Sequence, residues 1–137
     1  MTKVTVMDTF DHPADKVWAA VSDFGGIDKY MRGFSEVKVE GSGLGMDRTL
    51  TLPDGQVVER LTWLDNDAMS FSYTIITAPL PFTRYVATVR LAPQGERCGI
   101  TWEGNFEPNG VSEEEASKLA NGVYTSAIKG YKRGLAG

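Results

Sequence analysis

The sequence has few of the residues that build metal, redox or nucleophilic sites. It contains one cysteine and one histidine among 137 residues, so Cys98 alone can form neither an internal disulfide nor a thiolate metal site. His12 lies just before a predicted helix with no serine or cysteine partner suggested nearby, and we expect it to serve as a helix cap or surface residue. These shortages predict a protein without a metal, a cofactor or a catalytic thiol.

The sequence also lacks an excess of basic residues and any long apolar run. Its 14 basic and 18 acidic residues give a net charge of −4, whereas a nucleic-acid-binding surface needs a basic patch. No run of about 18 apolar residues is present to span a membrane, and the alternating N-terminus does not resemble a signal peptide. We therefore expect a cytoplasmic protein that binds no nucleic acid, and one domain over residues 1–137. Whether it has a protein partner is left open by the sequence.

Apolar periodicity divides the chain into a strand, two short helices and six further strands. Residues 3–9 alternate as in a half-buried strand, Val17, Trp18 and Val21 predict a short helix ending near Gly25, and a second short helix is expected over residues 27–32. From residue 34 to 106 the period is two, with turn signals such as P-D-G and D-N-D between the runs. Seven strands in this order predict an antiparallel meander.

A long amphipathic helix is predicted at the C-terminal end. Ser112 begins the capping box S-E-E-E, in which Glu115 lies three residues on. Leu119, Val123, Ala127 and Tyr131 then recur every four residues as an apolar stripe. One sheet and one long helix bury both apolar faces only if the sheet curls around the helix, which predicts an α+β fold.

The order of these elements resembles the START-like superfamily, which includes polyketide cyclase/dehydrase-like proteins. The matching features are V-W-A-A-V-S-D-F at 17–24, Tyr30, L-P-D-G at 52–55, V-E-R-L-T-W-L-D at 58–65, Tyr85, and S-E-E-E at 112–115. The resemblance implies the helix-grip fold, in which a seven-stranded curved antiparallel sheet wraps around the long C-terminal helix, with two short helices after the first strand. Within the superfamily, the spacing from residue 52 to 89 is similar to that of the plant abscisic acid receptors.

That resemblance implies a ligand cavity between the sheet and the long helix. Two loops would border its mouth, one with Leu52 and Pro53 and the other with Leu80 and Pro81. The residues expected to bind the ligand are Ser35, Glu59, Leu61, Phe71, Tyr73, Ile75, Phe82, Tyr85, Ala87, Glu103, Leu119, Val123 and Ala127. Ser35 stands where the receptors carry a lysine that pairs with the hormone's carboxylate, and their His-Arg pair is missing, so neither that hormone nor a phosphatase partner is expected.

Glu59 is the most informative of these residues. It shares strand parity with Val57, Leu61 and Trp63, so its carboxylate is predicted to lie on an apolar face. Burial of a carboxylate is costly unless the group is paired or hydrogen-bonded. Two interpretations remain open: Glu59 is a polar anchor in the cavity, or it reaches water at a strand end or pairs with Arg48.

Glu103 receives two conflicting predictions. Alternation directs Ile100, Trp102 and Phe106 inward and therefore Glu103 outward. The family resemblance instead directs Glu103 into the cavity. A β-bulge near Gly104 would reconcile the two, because an extra residue exchanges the faces of a strand.

Three functions are consistent with these features. The first is binding of a small hydrophobic, aromatic or polycyclic molecule, with Glu59 and the hydroxyls of Tyr73 and Tyr85 orienting it; core packing of the tyrosines is an equal alternative. Such a ligand would carry hydroxyl or amine groups, since Glu59 would repel a carboxylate. The second is a polyketide cyclase or dehydratase in which Glu59 is the general base and Tyr85 a hydrogen-bond donor. The third is an interaction module whose loops at 52–56 and 79–83 dock a protein when the cavity fills.

Overall fold

The computed structural model describes residues 1–136 of the chain. Over this range the strands are β1 (Thr2–Phe10), β2 (Glu36–Glu40), β3 (Asp47–Leu52), β4 (Gly55–Asp65), β5 (Ser70–Thr77), β6 (Phe82–Gln94) and β7 (Arg97–Pro108). The helices are α1 (Ala14–Val21), a 3₁₀ helix (Phe24–Lys29) and α2 (Glu113–Ala136). No helix within residues 1–136 has the length and the apolar character needed to cross a membrane.

The seven strands form one antiparallel sheet in the order β1-β7-β6-β5-β4-β3-β2. Strands β2 to β7 pair with their neighbours in the chain, and β1 pairs with β7. The predicted α+β helix-grip fold is therefore confirmed, with both short helices after the first strand. The second of them is a 3₁₀ helix that begins at Phe24, three residues before the predicted start.

The predicted inward position of Trp63 is wrong. The pairing of β4 with β5 shifts register between Leu61 and Trp63, and an irregularity of this kind exchanges the two faces of a strand beyond it. Leu61 is buried, whereas Trp63 is 52% exposed. Strict alternation therefore predicts which side chains of β4 point inward only as far as Leu61.

Of the capping box predicted for α2, the hydrogen bond to Ser112 is confirmed. The backbone N–H of Glu115 donates a hydrogen bond to Ser112 Oγ at 3.1 Å, which satisfies one of the N–H groups that the first turn leaves free. Acidic residues at 113–115 follow in the first turn, where they interact favourably with the helix dipole.

Helix α2 packs against β1, β7 and α1, and two close approaches position it there. A Cβ at Gly104 of β7 would lie 2.0 Å from Tyr124 Oη, and a Cβ at Gly130 would lie 2.5 Å from the carbonyl oxygen of Tyr30. Both glycines are therefore needed for the helix to approach this closely. Tyr124, which the predicted stripe did not include, is fully buried.

The apolar residues form two clusters rather than one. The larger lies among α1, the 3₁₀ helix, α2, β1 and β4–β7, and the smaller consists of Ile27, Leu50 and Val57 with partly buried side chains around them. Helix α2 makes its main contacts with β1, β7 and α1, and none of its described residues belongs to the smaller cluster. A hollow is left between them.

Two glycine variants on α2 test how this helix is positioned. Gly122→Ala should stabilise the protein by up to about 1 kcal/mol, since alanine is the better helix former and a Cβ at Gly122 would have no heavy atom within 4 Å. Gly130→Ala has the same gain in propensity but should destabilise by about 1–3 kcal/mol because of overpacking. Urea denaturation measures both changes, and equal stabilisation by the two variants would contradict the close packing at Gly130.

Candidate functional site

The hollow between α2 and the sheet is a cavity of about 510 Å³. Its volume lies within the range of about 300–1,000 Å³ that is typical of small-molecule sites. Its apolar walls are formed by Ile27, Met31, Phe34, Leu50, Leu52, Val57, Leu80, Leu119, Val123 and Ala127. The polar side chains that border it are Arg32, Arg48, Glu59, Tyr73, Trp102, Lys118 and Ser126.

Two large apolar side chains of α2 are left partly uncovered at this cavity. Leu119 is 38% exposed and Val123 is 43% exposed, although both belong to the predicted apolar stripe. They border the cavity, whereas Ala116, Ala120, Tyr124, Ile128 and Tyr131 of the same helix are buried in the core. A concave surface of this kind provides apolar area that a bound molecule can bury.

An ion pair between Arg48 and Glu59 forms the charged part of the cavity floor. The two residues face each other across β3 and β4, and Arg48 Nε and Nη2 lie 2.8 and 2.7 Å from Glu59 Oε1. Arg48 Nη1 also donates to the carbonyl oxygen of Phe24 at 2.9 Å, and its guanidinium lies 3.8 Å from the centre of that ring. Glu59 is therefore both paired with Arg48 and placed at the cavity.

The second carboxylate oxygen of Glu59 remains available as an acceptor. Both close contacts from Arg48 go to Oε1, and Oε2 accepts no hydrogen bond from any residue between 1 and 136. Because Glu59 borders the cavity, Oε2 can accept a hydrogen bond from a molecule bound there.

Tyr73 supplies a hydrogen-bond donor to the same cavity. Trp102 Nε1 donates to Tyr73 Oη at 3.2 Å, and an indole N–H can only donate, so the tyrosine oxygen is the acceptor in this bond. Its own proton has no acceptor among the described residues. Burial, and secondarily the charge of Glu59, raise the pKa of Tyr73 well above its usual value. Tyr73 therefore remains a neutral donor at the cavity wall.

Tyr85 does not border this cavity. Its hydroxyl forms a short hydrogen bond with the hydroxyl of Tyr124, and its ring lies beside Phe106 in the larger cluster. Burial raises the pKa of Tyr85 and of Tyr124. The predicted position of Tyr85 on the cavity wall is thus wrong, and the alternative of core packing describes it.

The structure brings together some of the predicted ligand-binding residues and separates others. Those that border the cavity are Leu52, Glu59, Tyr73, Leu80, Leu119, Val123 and Ala127. Those packed into the larger cluster instead are Leu61, Phe71, Tyr85 and Ala87. Ile75 and Phe82 border a separate depression of about 360 Å³ where β5 ends and β6 begins.

The cavity positions implied by the resemblance for Glu103 and Ser35 are wrong. Glu103 pairs with Thr5 and Thr88, and Gly104 and Asn105 follow in the same register; the shift that β6 shows lies beyond them, between Thr83 and Val86. The face exchange predicted near Gly104 is therefore absent, and the carboxylate of Glu103 lies on the outer face, 3.2 Å from Lys3 Nζ. Ser35 is exposed and donates its backbone N–H to the carbonyl of Thr51. Alternation alone had placed Glu103 correctly.

The two loops expected at the mouth contribute one leucine each. Leu52 and Leu80 border the cavity, whereas Pro53 and Pro81 do not. The loops lie against each other, since a Cβ at Gly55 would be 3.2 Å from the ring of Pro79. Both leucines therefore contribute to the apolar wall of the cavity.

Several residues that border the cavity were missed at the level of sequence. Arg48 had a signal that could have been used, because it shares strand parity with Leu50 and therefore points inward like Glu59. Arg32 and Lys118 had none, since an exposed cation in a loop or on a helix carries no information about a cavity beside it.

Comparisons with known proteins show which family and which solved structures the chain is similar to. Residues 1–136 match the model of the family described as polyketide cyclase/dehydrase and lipid transport. The protein XoxI from Bacillus cereus is 27% identical with a TM-score of 0.88, and the match covers 97% of this chain and 94% of that one. An uncharacterised protein from Bacillus thuringiensis is 25% identical with a TM-score of 0.89, covering 98% and 99% of the two chains.

A more distant match shares the fold alone. Norcoclaurine synthase from Thalictrum flavum, solved in complex with dopamine and hydroxybenzaldehyde, is 17% identical with a TM-score of 0.75, covering 96% of this chain and 84% of that one. No curated protein sequence matches the chain. The narrower resemblance to the plant abscisic acid receptors is not confirmed by these matches.

A double-mutant cycle tests the buried ion pair. Arg48→Met and Glu59→Leu should each destabilise the protein by on the order of 3 kcal/mol, because each leaves an uncompensated buried charge. The double variant should lose clearly less free energy of unfolding than the sum of the two single losses, since it removes both charges together. Urea denaturation of the four proteins measures the coupling.

The neighbouring pair Arg60–Asp47 provides the matched control. It joins the same two strands at 2.8 Å but lies on the exposed side, so its coupling should be much smaller. Additive effects at Arg48 and Glu59 would contradict the role assigned to the pair.

Proposed function

The chain belongs to the polyketide cyclase/dehydrase and lipid transport family, and from this premise we propose that it binds a small hydrophobic, aromatic or polycyclic molecule in the cavity beside α2. The observation that carries the proposal is the apolar concave wall at which Leu119 and Val123 remain partly exposed. Covering the exposed part of each side chain would contribute about 1 kcal/mol to binding. The smaller apolar cluster on the opposite wall would add to this.

Two polar groups on the floor would orient the bound molecule. Tyr73 Oη offers a proton, and Glu59 Oε2 offers an acceptor. An apolar wall with a few convergent polar groups is the usual composition of a small-molecule site. A ligand with one hydrogen-bond acceptor and one donor on an otherwise apolar body fits this arrangement.

A cavity-filling variant tests binding. Val123→Trp should place an indole in the cavity and weaken ligand binding at least about tenfold by steric exclusion, with little loss of stability because Val123 is already exposed. Native mass spectrometry of the purified protein would identify a co-purified molecule, and a thermal-shift screen would find compounds that raise the melting temperature by binding the folded state.

The matched control is Asn121→Trp. Asn121 is exposed on the same helix and does not border the cavity, so this variant should bind as the unmodified protein does. If a ligand found by either method binds both tryptophan variants equally well, the assignment of the cavity as the binding site fails.

An enzyme of the polyketide cyclase or dehydratase type is the second candidate. It is favoured by the position of a carboxylate oxygen and a neutral phenol at one cavity wall, where Glu59 would act as general base and Tyr73, in place of Tyr85, as hydrogen-bond donor to a developing oxyanion. No other residue is proposed as catalytic. Holding a flexible chain in a folded shape would itself accelerate a cyclisation.

Turnover distinguishes this candidate from simple binding. With a compound from the ligand screen that reacts, Glu59→Gln and Tyr73→Phe should each reduce kcat by about 10²-fold or more while the Kd changes little. Tyr85→Phe is the control, because its hydroxyl lies away from the cavity. An undiminished kcat in Glu59→Gln would exclude the acid/base role and leave binding as the function.

A further inference from the structure

The charges around the cavity differ in sign from those of the chain as a whole. The protein has a net charge of −4. Within residues 1–136, the ionised side chains that border the cavity are Arg32, Arg48 and Lys118 together with the single carboxylate of Glu59. Arg48 forms an ion pair with Glu59, so Arg32 and Lys118 give the cavity an excess of two positive charges.

These two cations lie at the rim, where they remain accessible to a ligand. Arg32 follows the 3₁₀ helix, and Lys118 lies in the second turn of α2; both are exposed. Arg32 has no ion pair within the described residues. Lys118 Nζ lies 3.5 Å from Glu114 Oε1, with both side chains about four-fifths exposed, and a pair of that kind contributes little to stability. An anionic ligand can therefore pair with Lys118 in place of Glu114 with little loss of free energy.

The positive surface continues along the same side of α2. A shallow depression next to the cavity shares Met31, Arg32 and Ser126 with it and is bordered by Lys129 and Arg133. An anion approaching the mouth would thus meet cations from the loop and from two further turns of the helix, which favours its association with this side of the protein.

We propose that the ligand is an amphipathic anion, whose apolar body occupies the cavity while a carboxylate, sulfonate or phosphate group lies at the rim between Arg32 and Lys118. The inference rests on the proposed binding function and adds the chemical class of the ligand. It replaces the expectation that Glu59 would exclude carboxylates, because that expectation required an uncompensated Glu59, and Arg48 compensates it.

A pair of fluorescent probes with one aromatic frame tests the proposal. Anilinonaphthalene sulfonate and phenylnaphthylamine differ by the sulfonate group, so the ratio of their Kd values isolates the contribution of the negative charge. The unmodified protein should bind the sulfonate at least about fivefold more tightly, since two partly solvated cations attract it. The preference should decrease at high ionic strength because these cations are exposed.

Charge-removing variants locate the effect. Arg32→Gln/Lys118→Gln should raise the Kd of the sulfonate by about fivefold to tenfold and change the Kd of the neutral probe by less than about twofold. Lys16→Gln/Arg90→Gln removes the same charge from exposed positions that do not border the cavity, and it should leave the preference intact. Val123→Trp should weaken both probes, which shows that they occupy the cavity.

The possible results separate the two proposals. The anionic ligand is supported if Arg32→Gln/Lys118→Gln loses the preference for the sulfonate while Lys16→Gln/Arg90→Gln keeps it. Two results would overturn the anionic ligand and leave the binding function standing, provided that Val123→Trp displaces both probes. One is equal Kd values for the two probes in the unmodified protein. The other is a preference for the sulfonate that Arg32→Gln/Lys118→Gln retains. If neither probe binds in the cavity, the proposed binding function fails, and the inference fails with it.

Discussion

The position of α2 over only one half of the sheet is the constraint on which the site depends. Tyr124 reaches into space that Gly104 leaves free, and Gly130 allows the backbone at Tyr30 to approach the helix. Contacts this close hold the helix against β1, β7 and α1, because a packed interior tolerates little displacement. The apolar cluster around Leu50 on the other half then includes none of the described residues of α2, and the cavity is the space between them.

The floor of that cavity shows how buried polar groups are distributed between structure and ligand. Arg48 uses its nitrogens on Glu59 Oε1 and the carbonyl of Phe24, so it joins β3, β4 and the segment after α1. The hydroxyls of Tyr85 and Tyr124 satisfy each other away from the cavity. Among the described residues of the floor, the proton of Tyr73 and the oxygen Glu59 Oε2 have no partner, although buried polar groups are usually paired. These two groups are therefore available to hydrogen-bond a ligand, whereas the rest of the polar network stabilises the fold.

Much of the architecture could be predicted from local pattern. The alternation between residues 34 and 106, the turn signals and the capping box at Ser112 identify the strands and the long helix, because each depends on residues close in sequence. Alternation also placed Glu103 on the outer face, where the family resemblance did not. The pattern failed at Trp63, since a register shift between β4 and β5 is decided by the pairing of both strands rather than by either one.

Periodicity predicted which side chains share a face of a strand or helix. It also indicated that the carboxylate of Glu59 points inward and therefore needs a partner. It could not tell whether an inward face meets the core or a void. Leu119 and Tyr131 belong to the same helical stripe, yet Leu119 borders the cavity and Tyr131 is buried in the core, where burial raises its pKa to about 12. The difference arises from where the helix lies on the sheet, which close contacts between residues distant in sequence determine. The cations Arg32 and Lys118 become neighbours of one cavity for the same reason, so the charge of the rim is a property of the folded chain alone.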